Sequence, residues 1–392
     1  MGVVMIILNV NIYTMDKDNS IVENGYVKTD GGIITEIGTM PCAENFDGDV
    51  FDAEGKNLYP GFVDAHTHLG MFEDSLCFEG DDGNESTEPI TPQLRAIDGA
   101  NPLDGYFCEA LRAGITTVLI SPGSTNPIAG QIAAIKTHGK RIDNMIIKAP
   151  AAIKFSLGEN PKSVYNDKER MPITRMAIAA MIRESLKKAK KYHEDKLRYL
   201  CDPENTEPPE YDEGNEELCR LFDGDISAHF HAHRSDDIFT ALRISEQFGI
   251  KCVIVHGTEG HLICDELADK CVGILSGPFL TDRSKPELKS LTPTSPGIIS
   301  KNNIPTAIIT DHPETPIQYL TLCAAVAVRE GMDRISALKA ITSTAAEICG
   351  ISDRVGSVEV GKDADFVIYD GDPLDITKKP SAVFINGELI FS

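Results

Sequence analysis

Hydrophobic and polar positions along the chain fall into three regimes. From residue 3 to 60, and again after residue 356, they alternate in short runs: VVMIILNVNIYTM, a turn at Asp16 to Ser20, NGYVKTDGGIITEIG, then SVEVGKDADFVIYDG and SAVFINGELIFS near the other end. This period of two, broken by Gly, Asp and Pro, predicts half-buried strands. Chain termini commonly lie close together, so both strand-rich ends, residues 1–57 and 352–392, are expected to form one small β-sandwich domain.

Between them, over residues 58–351, short apolar runs alternate with amphipathic stretches. The strand candidates are NLYPGFVDAH, ITTVLIS, MIIKAPAAIKFSL, DISAHFHAH, KCVIVHG, VGILSG and IPTAIIT. Helix candidates such as ITRMAIAAMIRESLKKAKKYHEDKL, DDIFTALRISEQFG and TPIQYLTLCAAVAVREG separate them. Continuous Val and Ile runs followed by helices mark a parallel sheet buried on both faces. The expected class is α/β, a (β/α)8 TIM-like barrel, with an open doubly wound sheet as the alternative.

The third regime is polar. Residues 72–104 hold nine acidic side chains and one basic one, and residues 202–217 hold eight acidic ones and no basic one. Both read as solvated loops, too poor in apolar groups to offset the entropy of ordering. They carry 16 of the net negative charges of a chain with 37 Lys and Arg, 60 Asp and Glu, and a net charge of −23. Such a balance repels a phosphate backbone, so nucleic acid is not an expected partner. The loop at 72–104 follows the first strand-end histidines directly. An acidic rim there is expected to disfavour anionic substrates.

The N-terminal apolar run, Val3 to Leu8, has no basic residue before it and no small-residue cleavage site after it, and no later run approaches a bilayer's thickness. The chain is therefore expected to be cytoplasmic, with no membrane partner. Ten cysteines without CxxC spacing read as reduced buried thiols. No P-loop or dinucleotide fingerprint is present, so no organic cofactor is implied.

Candidate chemistry gathers where the predicted strands end. In PGFVDAHTHLG, His66 and His68 are two apart, which puts both imidazoles on one face of a strand. His229, His231 and His233 share parity in DISAHFHAHRSDD, while His256 ends CVIVH and Asp311 follows AIIT. Only the C-terminal ends of barrel strands reach the mouth. Several imidazoles and a carboxylate brought together there would be costly to bury unless a divalent metal compensated them.

This arrangement resembles the metal-dependent amidohydrolase superfamily, specifically the imidazolonepropionase-related branch that includes bacterial dipeptidases. The likeness rests on PGFVDAHTH, AGITTV, HAHRSDDI, VIVHGTEGH, TDHPETP and GSVEVGKDADFVIYD taken together, and it spans nearly the whole chain. It implies that His66 and His68 are ligands of a first metal site, that His231 and His256 are the fifth- and sixth-strand ligands, and that Asp311 is both a ligand and the proton-handling base. His229 remains an alternative ligand or a core residue below the metal, and His233 a ligand, substrate contact or supporting residue. The family's bridging carboxylated lysine would be Lys154 in AAIKFSLGENPK, with Glu159 as the alternative carboxylate. The segment after Lys154 departs from the glycine-rich pattern of related dipeptidases.

One or two divalent ions are implied, with zinc as the default and manganese, iron or nickel accepted by the same donors. The implied reaction is hydrolysis of a C–N bond in an amide, cyclic amide or short peptide, through a water whose pKa the metal lowers toward about 7. His256 or His233 would help stabilise the oxyanion. A heterocycle deaminase is the competing reading, with Glu259 as its candidate acid; a non-catalytic scaffold barrel is a third. Gln131 in the predicted loop PGSTNPIAGQ, Arg234 and His261 are candidate substrate contacts. The partner is a small molecule, and self-association into a homo-oligomer is left open.

Overall fold

The computed structural model describes residues 4–42, 46, 48–74 and 76–392. Val3 of the predicted apolar run and Ser75 of the first acidic stretch lie outside the described residues. The chain ends share one sheet: β1 (Met5–Tyr13), β2 (Ile21–Asp30), β3 (Ile33–Thr39), β4 (Asp49–Asp52) and β5 (Asn57–Pro60) come from the front. A second sheet follows: β6 (Phe62–Thr67), β7 (Ile115–Ile120), β8 (Ile128–Lys136), β9 (Ile146–Ser156), β10 (Ser227–Ala232), β11 (Cys252–His256), β12 (Gly273–Ser276) and β13 (Thr306–Ile308). The chain then returns to the first sheet with β14 (Phe366–Tyr369), β15 (Pro380–Ile385) and β16 (Glu388–Phe391).

In the first sheet the order is β16-β15-β14-β5-β1-β2-β3, with β4 beside β1. The two ends of the chain meet where β5 runs antiparallel to β14, Leu58 opposite Ile368. The predicted strand NLYPGFVDAH is divided at Gly61 between the two sheets. A side chain there would collide with Thr116, its Cβ falling 2.1 Å from Oγ1, so only glycine lets the chain pass.

The second sheet runs in chain order from β6 to β13 and is nearly closed. Its edges are bridged by Thr310, whose N–H and hydroxyl donate to Asp64 beneath the mouth (3.3 and 2.5 Å to Oδ2). The expectation of eight parallel strands needs one correction: β8 runs antiparallel to both β7 and β9. Residues 128–131, expected within a loop, form its first turn of strand. No crossover helix separates β7 from β8. The stretch at 72–104 supplies cover there instead, bridging β8 at Ile90 to Ile128 and Arg95 to Gln131, with Thr91 and Ala96 buried. It is therefore not simply a solvated loop. The second acidic stretch is also partly ordered, because the helix Glu213–Asp223 begins inside it, with the Asp212 carboxylate accepting the Asn215 N–H.

Side chains alternate between the barrel's inside and its helical jacket. Outward-facing Phe155 and Phe230 stack at 4.8 Å and pack with Ile178 and Ile182 of the helix Arg175–Cys201. Burying each such ring contributes about 2–3 kcal/mol. Thr174 starts that helix by accepting the Ala177 N–H at 3.1 Å. Facing inward, Ala134, Val253, Leu275 and Ala307 belong to a separate apolar cluster. Among the described residues no helix is long and apolar enough to cross a membrane.

Candidate metal centre

Register across the barrel sheet decides which polar side chains look inward. Lys154 on β9 is level with His229 on β10, and His229 with Val253 on β11; one step of two higher, His231 is level with Val255. Residues level in a parallel pair point the same way. Lys154, His229 and His231 therefore share the interior with the apolar cluster, at successive heights. His256 breaks this rule, since it is level with Ala232. Its left-handed backbone (φ 74°) redirects the side chain, and Asp311 does likewise (φ 53°). Non-glycine residues hold such conformations at a cost of about 1–3 kcal/mol, which persists where the surroundings fix them.

Two groups result. His66, His68 and Asp311 offer donor atoms within 4.8 Å of one another, and so do His231, His233 and His256. Asp311 Oδ1 lies 3.5 Å from His66 Nε2 and 3.4 Å from His68 Nε2. His231 Nδ1 lies 2.9 Å from His256 Nε2. Lys154 stands by the first group, Nζ 3.0 Å from His66 Nε2. His68, Lys154, His231, His233, His256 and Asp311 all line one cavity of about 220 Å³.

The outer nitrogens show what the inner ones are free to do. His68 Nδ1 donates to the Ser121 carbonyl and His256 Nδ1 to the Gly277 carbonyl, both at 2.7 Å. Each bond fixes the tautomer that leaves Nε2 unprotonated and facing inward, which is how a protein presents an imidazole to a metal. Buried Asp311 Oδ1 and His231 Nε2 have no hydrogen-bond partner among the described residues. Unpaired buried groups of this kind are costly unless a cation meets them, so the donor set fits a divalent ion.

Electrostatics point the same way. Burial holds His66, His231 and His233 well below the usual imidazole value, and His256 falls to about 4. They are neutral, as ligands must be. Burial pulls the Asp311 carboxyl upward, but His256 and His68 outweigh it and leave it below the usual carboxylate value. Burial also pushes the Lys154 ammonium down to about 8 and raises Asp64 to about 7.

Other sequence candidates lie elsewhere. His229 is fully buried, level with Lys154, and neither of its nitrogens has a hydrogen-bond partner among the described residues. Glu159 and Arg234 line a separate cavity, and Arg234 is paired with Asp236 at 2.9 Å. Gln131 faces another cavity beside Arg95 and Glu217. His261 sits on the turn Gly260–Leu262, outside the walls of the central cavity. Among the described residues of the 72–104 stretch, Phe72 and Asn84 line that cavity and none of the carboxylates does.

Sequence reasoning missed Glu287, a buried carboxylate whose Oε1 is 3.7 Å from His233 Nε2 and 3.9 Å from His231 Nε2. It lies in the loop after β12, where no periodicity marks it. Asp64 was missed as well, although its parity with His66 and His68 in PGFVDAHTH is the signal that could have found it.

Comparison with known proteins identifies the family and the fold. The amidohydrolase family model matches residues 57–390. The amidohydrolase tasK of Hapsidospora irregularis is 28% identical over 398 residues, 94% of this chain and 40% of that protein. A 5-methylthioadenosine/S-adenosylhomocysteine deaminase of Bacillus cereus (strain AH820) is 27% identical over 174 residues, 42% of this chain and 38% of that protein. The chain thus spans about 40% of the length of these two curated relatives. The crystal structure of an amidohydrolase from Thermotoga maritima MSB8 is 40% identical, with a TM-score of 0.93 over 99% of both chains.

Proposed function

The chain belongs to the amidohydrolase family, and from that premise we propose that it hydrolyses a C–N bond in an amide, a cyclic amide or a short peptide with the help of one or two divalent ions. The observation that carries this reading is the pair of donor groups converging on one cavity with their outer nitrogens tied to backbone carbonyls. His66, His68 and Asp311 would hold one ion, and His231, His256 and His233 the other, with zinc the default. A cation bound there supplies a Lewis acid for the carbonyl and lowers the pKa of a water toward about 7.

The remaining work belongs to side chains. Asp311 has one oxygen turned to His66 and His68 and the other 4.0 Å from His256 Nδ1. The second oxygen takes the proton of the attacking water and delivers it to the leaving nitrogen. The carbonyls of Ser121 and Gly277 keep His68 and His256 from rotating during that transfer. Lys154, its amine favoured by burial, is the group that carbon dioxide would convert to a bridging carbamate.

A deaminase requires a carboxylic acid free to protonate an amine. Glu259 is engaged elsewhere: one oxygen accepts from the Ser235 N–H and hydroxyl, the other from Ser290. This supports hydrolysis over deamination. The test is metal analysis of protein purified without chelator, followed by a screen of dipeptides, N-acyl amino acids, cyclic amides and aminated heterocycles. At least one equivalent of metal and turnover of an amide are expected. Well under one equivalent, with no activity after zinc or manganese is restored, overturns the enzyme reading; turnover confined to the heterocycles transfers it to deamination.

A further inference from the structure

A second, larger cavity of about 780 Å³ lies at the seam between the barrel and the sheet built from the chain ends, and it shares no lining residue with the cavity of the metal centre. One wall is the barrel's: the last turn of the helix Gly105–Arg112 and the start of the helix Leu320–Arg329, with Tyr319 and Leu322. The other belongs to the small sheet and to the loop that joins β14 to β15, with Ile376 and Phe391. That loop is braced. Asp375 Oδ1 accepts the Thr377 N–H at 3.0 Å and its hydroxyl at 2.7 Å, and the Asp372 carboxylate accepts the Leu374 N–H at 2.8 Å. The turn holds Ile376 72% exposed, and Tyr319 and Phe391 are exposed around the same cavity. Large apolar side chains held open about one concavity at a domain seam mark a binding site rather than scattered surface.

Charge at the seam runs against that of the chain. Arg112, Lys378 and Lys379 line the cavity together with Glu109 and Asp375, so its side chains are net positive in a chain of net charge −23. Lys378 leans toward Asp370, its Nζ 3.8 Å from Oδ2. Arg112 and Lys379 have no hydrogen-bond or ion-pair partner among the described residues. A guanidinium and an ammonium are therefore open beside an apolar wall. Such a lining complements an anion with an apolar body: the head meets the cations, and the tail covers side chains that water otherwise wets. The excess is a single positive charge, which a monovalent carboxylate balances and a phosphate dianion would exceed.

We propose that this seam is a binding site for aliphatic monocarboxylates, such as fatty acids of about eight to ten carbons, with the head between Arg112 and Lys379 and the tail against Leu322, Ile376 and Phe391. The site is separate from the C–N hydrolysis proposed above, and its ligand is not the substrate of that reaction. A volume of about 780 Å³ falls within the range of roughly 300–1,000 Å³ that small-molecule sites occupy.

The experiment is titration calorimetry of hexanoate, octanoate and decanoate, with octanol and octyltrimethylammonium as neutral and cationic controls, against the metal-loaded protein and its Arg112→Gln/Lys379→Gln and Ile376→Asp variants. Each added pair of methylenes is expected to tighten binding by about 10- to 15-fold, since burying one is worth about a fourfold change in Kd. Octanol should bind at least about tenfold more weakly than octanoate, and the cation should not bind. The double variant should lose about tenfold or more on octanoate while holding octanol within about twofold, and Ile376→Asp should weaken both by about tenfold. All three side chains are exposed and away from the metal centre, so unliganded melting and amide turnover should match wild type. Octanoate binding that both variants leave unchanged and that chelator abolishes would assign the acid to the metal centre and overturn the proposal. Equal affinity for octanoate and octanol, or no tightening with chain length, overturns it too. So does dimerisation in sedimentation velocity that Ile376→Asp abolishes, because the seam would then belong to a second copy of the chain.

Discussion

Replacing Lys154 with methionine should make the metal-free protein more stable. The side chain is fully buried, and burial pushes its ammonium from the ordinary 10.5 to about 8, even with Asp311 pulling the other way. That gap corresponds to roughly 3 kcal/mol charged against folding at pH 7, at about 1.4 kcal/mol per tenfold change in proton affinity. Below pH 8 both the folded and unfolded chains carry the proton, so the penalty is complete. Between 8 and 10.5 the unfolded chain keeps a proton the folded one has released, and wild-type stability climbs with pH. Methionine fills similar volume without the charge, so its advantage should be about 3 kcal/mol at pH 7 and shrink to about 1 kcal/mol near pH 10. Urea unfolding of chelator-treated wild type and Lys154→Met at the two pH values measures this. A destabilised variant at pH 7, or an advantage that does not shrink, would refute the assignment of Lys154 as an amine whose burial outweighs its contacts with His66 and Asp311. The same substitution should lower metal content, because at pH 7 about a tenth of Lys154 is neutral amine, against about one in 3,000 for an ordinary lysine.

Three further outcomes follow from the geometry. Lys136 is buried against Asp363 (2.7 Å) and Asp365, so Lys136→Met should cost about 3–5 kcal/mol in denaturant unfolding. Adding Asp365→Asn should recover part of it, while Asp363 keeps its bond to Arg354 at 2.8 Å; a loss under about 1 kcal/mol would contradict the clamp. Glu287→Gln should weaken zinc binding by about 10- to 100-fold in chelator competition if Glu287 orients His231 and His233, and unchanged affinity would remove it from that role. Stripping the metal should lower the melting temperature, since an ion at 1,000 times its Kd stabilises the native state by about 4 kcal/mol, and zinc or manganese should restore it. Melting indifferent to chelator would argue against a resident ion.

Strand ends and the parity of histidines were readable because both are local. A period of two assigns His66 and His68, or His231 and His233, to one face wherever the chain is extended. The reach of His256 and Asp311 was read from their position after apolar runs, yet the left-handed backbone that aims them is not encoded in any period. β8 itself was missed, since IAGQIAAIK was not among the strand candidates: Gly130 (φ 138°) disguises its start as a loop, and no hydrophobic pattern says which way a buried strand runs. Glu287 lies on a connection whose course depends on the whole barrel. His233, read as ligand, substrate contact or supporting residue, is grouped with His231 and His256 by geometry that parity alone does not supply.

The reversed strand β8 has a bearing on how this barrel can change over time. Apart from the hairpin that joins β8 to β9 at the opposite rim, the other neighbouring strands are joined by connections that carry helical segments, so altering the chain at the mouth there risks disturbing the jacket outside. At β7–β8 the link is a short hairpin, residues 121–127, that enters and leaves the same rim. Lengthening such a turn costs only about 0.6 kcal/mol for each doubling. Ser124 and its neighbours thus sit on a cassette that can be exchanged without rebuilding the scaffold, a place where new substrate preferences can be drafted while the candidate ligands at the ends of β6, β10 and β11 stay fixed.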